Sequence, residues 1–220
     1  MVRPMTDFLD TGPADAPVRL LLAHGAGAPM DSPFMTLIAE LLAARGCATT
    51  RFEFPYMATR RSGGKKRPPP RAEALVPDYV AAITAARARA PSQRLAIGGK
   101  SLGGRVASLA ADDLYATGEI FALVCLGYPF HPPGLPDKLR TAHLEQLHCP
   151  ALIVQGARDP FGSRGEVEAL TLAQAIDVHW AVDGDHDLGP RGGHGVTRRG
   201  NMEAAADAVA EFLRRTAEGS

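Results

Sequence analysis

The chain has 220 residues, of which 45% are hydrophobic, and its 24 lysines and arginines balance 24 aspartates and glutamates, so its formal net charge is zero. This length fits one α/β domain, residues 1–220, with enough chain for a substantial core and little left for a second module. The balanced charge does not favour nucleic-acid binding, and no 18 consecutive apolar residues predict a membrane span.

Two further features indicate the cellular compartment. Met1 to Gly12 contains no apolar segment of the kind that a signal peptide needs. The three cysteines, Cys47, Cys125 and Cys149, are too few and too scattered for a disulfide framework, and we expect buried free thiols. Both observations predict a cytoplasmic protein.

Apolar runs of strand length alternate with amphipathic helical stretches along the chain. The runs fall at 18–23, 47–54, 94–98, 121–126, 151–155 and 177–182, with one weak candidate strand before Val18. The helical stretches fall at about 33–45, 76–90, 101–117, 164–175 and 202–215, the first with Ser32 as N-cap and Pro33 at its first position. Nearly continuous apolar runs are typical of strands buried on both faces. The pattern predicts the α/β class: a doubly wound, mostly parallel sheet with helices on both faces.

A basic segment from Pro55 to Arg71 interrupts this alternation. It combines Gly63-Gly64 and three consecutive prolines with six basic residues and no acid, a composition that predicts an exposed, mobile loop. We interpret it as a solvated insertion between strand and helix, with attraction of an anionic partner as the alternative. The six basic residues are Arg60, Arg61, Lys65, Lys66, Arg67 and Arg71.

The pentapeptide Gly99-Lys100-Ser101-Leu102-Gly103 lies between the apolar run 94–98 and a helical stretch. A Gly-x-Ser-x-Gly pattern at a strand-to-helix turn predicts that Ser101 is an exposed nucleophile in a strained backbone conformation. Gly99 and Gly103 would let the helix and strand approach closely. Leu102 would open the helix with a free N–H, which predicts one oxyanion donor.

A serine nucleophile needs a base, and the base needs a carboxylate that holds its tautomer. Asp159 follows the run 151–155 and His186 follows the run 177–182, so both fall at the carboxyl edge of the predicted sheet, where ligands bind. We predict Asp159 as the acid and His186 as the base, in the chain order found in α/β-hydrolases. Asp183, Asp185 and Asp187 are alternative acids, and His194 is the alternative base.

The turn after the first apolar run reads His24-Gly25-Ala26-Gly27. Its small residues would let a backbone N–H face the reaction centre, and we predict Ala26 as the second oxyanion donor, with Gly27 as the alternative. His24 is interpreted as a structural histidine that bonds to loop backbone.

Tyr128, Phe130 and His131 follow the fourth apolar run and either wall a substrate pocket together with Gly27 or pack the loop. Lys100 is expected to point away from the site, toward the loops. The sequence has no Cys-x-x-Cys, no helical His-x-x-x-His, no Gly-x-Gly-x-x-Gly after the first run and no Walker pattern. We therefore predict neither a metal nor a cofactor.

Over about residues 18–215 these motifs resemble those of compact α/β-hydrolases. The segments 24–27, 99–103, 127–133 and 156–159 are more narrowly similar to a small branch related to dienelactone hydrolases. That branch includes a testis-expressed mammalian protein and a subunit of a chromatin acetyltransferase complex. The resemblance implies serine-dependent hydrolysis, although some members of the branch serve as interaction subunits.

The chain departs from that pattern at two places. Dienelactone hydrolases use a cysteine nucleophile where this chain has Ser101. The long cap insertion after the run 121–126 is nearly absent, so we expect an uncapped, open site.

The function expected from the sequence is that of a carboxylesterase acting on small soluble acyl esters through an acyl-enzyme. Its partner would be a small-molecule ester, with no nucleic acid and no membrane involved, and the oligomeric state is left open. The alternative is a non-catalytic protein of hydrolase fold that binds a protein partner.

Overall fold

The computed structural model describes residues 7–61, 63–65, 68–192 and 195–219. Its strands are β1 (Phe8–Thr11), β2 (Val18–Ala23), β3 (Ala48–Phe52), β4 (Arg94–Lys100), β5 (Ala122–Leu126), β6 (Ala151–Gly156) and β7 (Ile176–Ala181). They form one sheet in the order β1-β3-β2-β4-β5-β6-β7. Every neighbouring pair is parallel except β1 with β3, which is antiparallel. The six apolar runs of the sequence become β2 to β7, and the weak candidate before Val18 becomes the edge strand β1.

The helices of the described residues are α1 (Pro33–Ala43), α2 (Pro55–Arg61), α3 (Ala72–Arg89), α4 (Leu102–Ala116), α5 (Arg164–Glu168) and α6 (Arg198–Glu218). The predictions for α1 and α4 are confirmed, including Ser32 as the N-cap of α1 with Pro33 next.

Successive residues of the central strands face opposite layers of the molecule. In β2, Leu21 joins a core built with α3 and α4, whereas Leu22 joins a second core built with α1 and α6, and both leucines are fully buried. Side chains alternate across a strand, so a sheet covered on both faces needs apolar residues at every position. The doubly wound sheet with helices on both faces is confirmed.

The prediction that residues 55–71 form one exposed mobile loop is wrong for its first part, because Pro55–Arg61 form α2. Proline is well suited to the first position of a helix, and Met57 is buried beneath the turn. The Arg61 guanidinium lies 2.7 Å from Glu53 Oε1 and 2.8 Å from Asp31 Oδ1. The basic charge expected to be free is thus partly paired.

The rest of that segment is exposed wherever it is described, at 63–65 and 68–71, while Lys66 and Arg67 lie outside the described residues. The helix after it begins at Ala72 rather than near 76, because Ala72 is itself buried in the core.

The two helices in the last third of the chain also differ from prediction. α5 ends at Glu168 rather than near 175. Beyond it, the Ala173 N–H donates 3.0 Å to Leu144 O, and the Ala151 N–H donates 2.8 Å to Ala175 O. These distant partners hold the chain out of a helix. α6 extends past the predicted 202–215 at both ends.

Residues 127–150 connect β5 to β6 with only a 3-10 turn at Ala142–Leu144, so no cap domain is inserted there. The carboxyl edge of the sheet is therefore left without a helical cover on this side. All three cysteines are buried and free, as predicted. Within the described ranges, no helix is both long and apolar enough to cross a membrane.

Candidate active site

Ser101 occupies the turn between β4 and α4. Its backbone has φ 51° and ψ −113°, a conformation that L-residues rarely adopt. The Ser101 N–H donates 2.9 Å to Leu126 O, and Ser101 O accepts the Arg105 N–H at 3.0 Å, so the neighbouring strand and the helix hold the turn from both sides. The strained turn expected for a nucleophile is present.

The glycines of the motif allow α4 to lie close against the sheet. A Cβ on Gly103 would lie 2.5 Å from Ala23 O and 2.6 Å from His24 O, and one on Gly99 would lie 2.6 Å from the carbonyl carbon of Gly103. All three distances are far shorter than a carbon contact tolerates. Only residues without a side chain fit at these two positions.

Asp159 and His186 meet at the carboxyl edge of the sheet. Asp159 follows β6, His186 lies in the loop after β7, and Nδ1 of the imidazole is 2.8 Å from Asp159 Oδ2. The carboxylate is fully buried, while the side chain of His186 is 23% exposed. A carboxylate at Nδ1 holds the proton there and leaves Nε2 free to accept another.

Three further residues hold this pair in place. Gln155 Nε2 donates 3.0 Å to Asp159 Oδ2, and the Phe161 N–H donates 2.8 Å to Asp159 Oδ1. The Phe161 ring packs on the imidazole, with 4.3 Å between ring centroids. Gly127, at φ 64°, leaves room for the histidine, since a Cβ there would lie 2.9 Å from His186 O. A polar residue ending an apolar strand was the one signal for Gln155, and Phe161 had none.

Asp183, an alternative acid, is bound to arginines. Arg158 Nε donates 2.7 Å to Asp183 Oδ1, and Arg191 Nη2 donates 2.7 Å to the same oxygen. The hydrogen bond from Arg191, supported by Arg158, lowers the pKa of the Asp183 carboxyl to about 2. Asp183 therefore anchors the loop that carries the histidine.

The two aspartates on either side of His186 in the sequence have partners of their own. Asp185 Oδ1 accepts backbone N–H groups of its own loop, at 2.9 Å from Asp187 and 2.8 Å from Gly189. Asp187 Oδ1 lies 3.2 Å from Lys100 Nζ. Neither carboxylate holds the imidazole, which bonds to Asp159. His194, the alternative base, lies outside the described residues.

A cavity of about 530 Å³ opens at this edge of the sheet, and both Ser101 and His186 line it. The hydrogen bonds of the described residues include none between Ser101 Oγ and His186. Such contacts are often long in unliganded sites and tighten when substrate binds. The apolar side chains of the wall are those of Ala26, Ala28, Pro33, Phe34, Met35, Leu37, Phe161 and Met202.

The turn 24–27 forms one side of the cavity, and Ala26 and Gly27 both line it. The Phe54 N–H donates 3.1 Å to His24 Nε2, so the ring proton is on Nδ1, which lies 2.6 Å from Gly25 O. Both nitrogens are engaged with backbone, which confirms the structural interpretation of His24. Burial lowers its pKa and keeps the ring neutral.

Tyr56, which no sequence motif indicated, fixes the same turn. Its hydroxyl donates 3.2 Å to Ala26 O. Burial raises the pKa of Tyr56 to about 12, so the phenol stays protonated and remains a donor. Leu102, the first residue of α4, has no acceptor for its N–H within the helix.

Tyr128, Phe130 and His131 pack the loop after β5 rather than wall this cavity. The first two are fully buried and His131 is 3% exposed. The Tyr128 hydroxyl donates 2.9 Å to Arg140 O, and Phe130 lies against Gly162. Loop packing, and not a substrate pocket, is what these three side chains provide.

The expectation that Lys100 points away from the site is wrong. Its side chain is 7% exposed and lines the same cavity as Ser101. Burial lowers the pKa of the ammonium, and the charge of Asp187 opposes that effect. The space for it comes from Gly127, 27 residues away in the sequence, which no local pattern could indicate.

The described residues contain no group of three or more His, Cys, Asp or Glu side chains placed to hold a metal ion. The polar side chains that line the cavity are those of Ser32, Lys100, Ser101, His186, Asp187 and Arg198.

Comparison with known proteins identifies the family of this chain. A family model described as an alpha/beta hydrolase domain matches residues 16–214. The chain belongs to this family. The hydrolase domain thus covers the whole sheet from β2 onward and all six helices but the last four residues of α6.

Solved structures agree with this assignment at the level of the fold. A dienelactone hydrolase from Anabaena variabilis has a TM-score of 0.70 at 21% identity, with 96% of this chain and 91% of that chain covered. Est1E from Butyrivibrio proteoclasticus has a TM-score of 0.70 at 16% identity, with 97% and 95% covered. A lidless α/β serine hydrolase from Xanthomonas campestris has a TM-score of 0.65 at 20% identity, with 96% and 88% covered. The testis-expressed and chromatin-complex branch stays a prediction.

Proposed function

We propose that this hydrolase domain is a serine carboxylesterase that cleaves small acyl esters through an acyl-enzyme. The observation that carries the proposal is that Ser101, on its strained turn, and the Asp159-bonded imidazole of His186 line one cavity. The fold alone is compatible with many reactions, so the proposal depends on this site.

In the proposed reaction, Ser101 Oγ attacks the carbonyl carbon of the ester while its proton passes to Nε2 of His186. The tetrahedral intermediate collapses as the carbon–oxygen bond to the alcohol breaks, and the imidazolium gives its proton to the leaving alcohol. Water then attacks the acyl carbon with the same histidine as base, which releases the carboxylic acid and restores the serine. Asp159 stabilises the imidazolium through the bond at Nδ1.

The oxyanion would be held by two backbone N–H groups, those of Leu102 and Ala26, with Gly27 as the alternative to Ala26. The Leu102 N–H lies at the start of α4 without an acceptor in the helix, and the Tyr56 hydroxyl bonded to Ala26 O fixes the plane of the neighbouring peptide. Loss of one such donor typically lowers the rate by about 10²- to 10³-fold.

The cavity also supports the substrate class. A volume of about 530 Å³ and a mostly apolar wall suit a short acyl or aryl group. No cap is inserted between β5 and β6, so a soluble substrate reaches the site without an opening step.

A fluorophosphonate probe and p-nitrophenyl acetate test the proposal. We expect the wild-type protein to be labelled and to turn over the ester, and Ser101→Ala to lose labelling and at least about 10⁴-fold in kcat. Ser92→Ala is the matched control, because Ser92 is exposed on the loop before β4, at the far end of that strand. Labelling should map to Ser101 by peptide mass spectrometry.

Two outcomes would contradict the proposal. A folded wild-type protein that ignores both the probe and short esters would favour the non-catalytic binding protein. Equal turnover by the wild type and Ser101→Ala would place the chemistry at another residue.

A further inference from the structure

Lys100 connects three parts of the candidate site through one buried ammonium. Its Nζ donates 2.6 Å to His186 O and lies 3.2 Å from Asp187 Oδ1. The same atom lies 5.1 Å from the centroid of the Phe34 ring, in the cavity wall on α1. One charge therefore joins the nucleophile's own strand to the loop of the histidine and to the wall of the cavity.

Packing alone does not account for a cation at this position. A buried ammonium loses its hydration, a loss that only good partners offset, whereas an apolar side chain of similar length would fill the space without it. The partners that Lys100 finds are a carbonyl of His186 itself and the carboxylate next to it. Gly127 makes this contact feasible, since a Cβ there would lie 3.0 Å from Lys100 Nζ and 2.9 Å from His186 O.

We propose that Lys100 is a positioning residue: it fixes the backbone of His186 where the imidazole can accept the proton of Ser101. Asp159 holds the ring at Nδ1, Phe161 packs on it, and Asp183 anchors the loop three residues before the histidine. The bond from Lys100 acts on the carbonyl of His186 itself and so fixes the backbone at that residue. Because Lys100 and Ser101 are consecutive, the tether ties the base directly to the nucleophile's backbone.

The inference rests on the proposed function. The contacts of Lys100 argue against a second role for this residue, the direct binding of an anionic substrate. The side chain of Lys100 is 7% exposed, and three carboxylates, those of Asp187, Asp159 and Asp185, act on its charge. A group already surrounded in this way has little capacity for a further anion. Loss of a positioning residue lowers kcat, whereas loss of a substrate contact raises KM.

Steady-state hydrolysis of p-nitrophenyl acetate by Lys100→Met is the first test. Methionine keeps the length of the side chain and removes the charged donor. We expect kcat to fall by about 10- to 100-fold, as for other groups that orient a catalytic residue, with KM changed less than about threefold. Lys138→Met, the same change at an exposed lysine on the loop after β5, should leave both parameters unchanged.

Chemical rescue tests the donor itself. Lys100→Ala removes the atoms of a propylammonium group beside an accessible cavity. Added propylammonium should raise kcat of Lys100→Ala and have no effect on the wild type or on Lys138→Ala. A purely structural loss of packing would not respond to a soluble amine.

A crystal structure of Lys100→Met gives a readout that does not need activity. We expect the backbone at 186–187 to shift and the bond from His186 Nδ1 to Asp159 Oδ2 to lengthen or break. An unmoved histidine would overturn the positioning role even if the protein hydrolysed no ester, and so would unchanged kcat in an active enzyme. Failure of the wild type to react with the fluorophosphonate, with the histidine displaced in the variant, would instead reject the proposed function alone.

Discussion

Both carboxylate oxygens of Asp159, whose side chain is fully buried, accept hydrogen bonds. Oδ1 accepts the Phe161 N–H, while Oδ2 accepts from Gln155 and from the imidazole of His186. An ionised carboxylate only accepts hydrogen bonds, and three donors point at this one. Any other orientation of the side chain would lose these bonds. The orientation of the carboxylate in turn fixes that of the His186 imidazole, which bonds to it.

The single change Asp159→Asn tests this acid against its rivals. The amide NH2 of asparagine would face at least one of the three donors, so that hydrogen bond is lost. The neutral amide also no longer stabilises the imidazolium. We expect kcat for ester hydrolysis to fall by about 10³- to 10⁴-fold with the fold retained. Asp137→Asn, at an exposed position after β5, is the control. Unchanged kcat would reassign the acid to another carboxylate.

Helix α4 shows how one element positions the site. It begins directly after Ser101 and packs against β2 and β4. The approach is so close that the carbonyl oxygens of Ala23 and His24 occupy the place of a side chain at position 103. The geometry of Ser101 therefore depends on the packing of this helix.

Gly103→Ala should force α4 away from β2. Overpacking of this kind destabilises by about 2 kcal/mol or more, which lowers Tm by roughly 4–8 °C in a chain of this size. Gly165→Ala is the control, because that glycine lies in α5 with open space around it. Thermal unfolding followed by circular dichroism measures both. A Gly103→Ala variant as stable as the wild type would mean that the helix can move without cost.

The elements that the sequence predicts well are those whose signal is local. Ser101, Asp159 and His186 each follow a strand of the parallel part of the sheet, so this topology brings them to one edge. The limits of α5 and α2 differ from prediction because contacts outside each helix help to set them: the Ala173 N–H beyond α5 bonds to Leu144 O, and Glu53 and Asp31 pair with Arg61 at the end of α2. The direction of Lys100 depends on a glycine from another part of the chain. Contacts between segments far apart in sequence carry no local pattern.

At the scale of the whole molecule, the protonation of three histidines opposes folding. Burial lowers the pKa values of His24, His143 and His179, so the folded chain favours their neutral forms. The unfolded chain binds these protons near pH 6.5, and the folded chain binds them only at lower pH. Acidification through this range therefore favours the unfolded state.

We expect the free energy of unfolding to fall as the pH is lowered from 7 to 5, measured by urea denaturation. Each histidine contributes at most about 1.4 kcal/mol per pH unit, and only between its unfolded and its folded pKa. His24→Gln should flatten this dependence, because glutamine does not titrate, even if it lowers stability at pH 7. A wild-type stability that is constant between pH 7 and 5 would contradict this expectation.

The left-handed backbone of Ser101 has a consequence for any attempt to make this protein more resistant to heat. A side chain in that conformation costs on the order of 1–3 kcal/mol, and glycine would adopt it freely. Laboratory selection for thermal stability alone would favour glycine at position 101, and the hydroxyl of Ser101 would be lost. Selection for thermal stability therefore favours glycine at position 101, whereas selection for turnover favours serine. A screen must select for both properties to keep the serine.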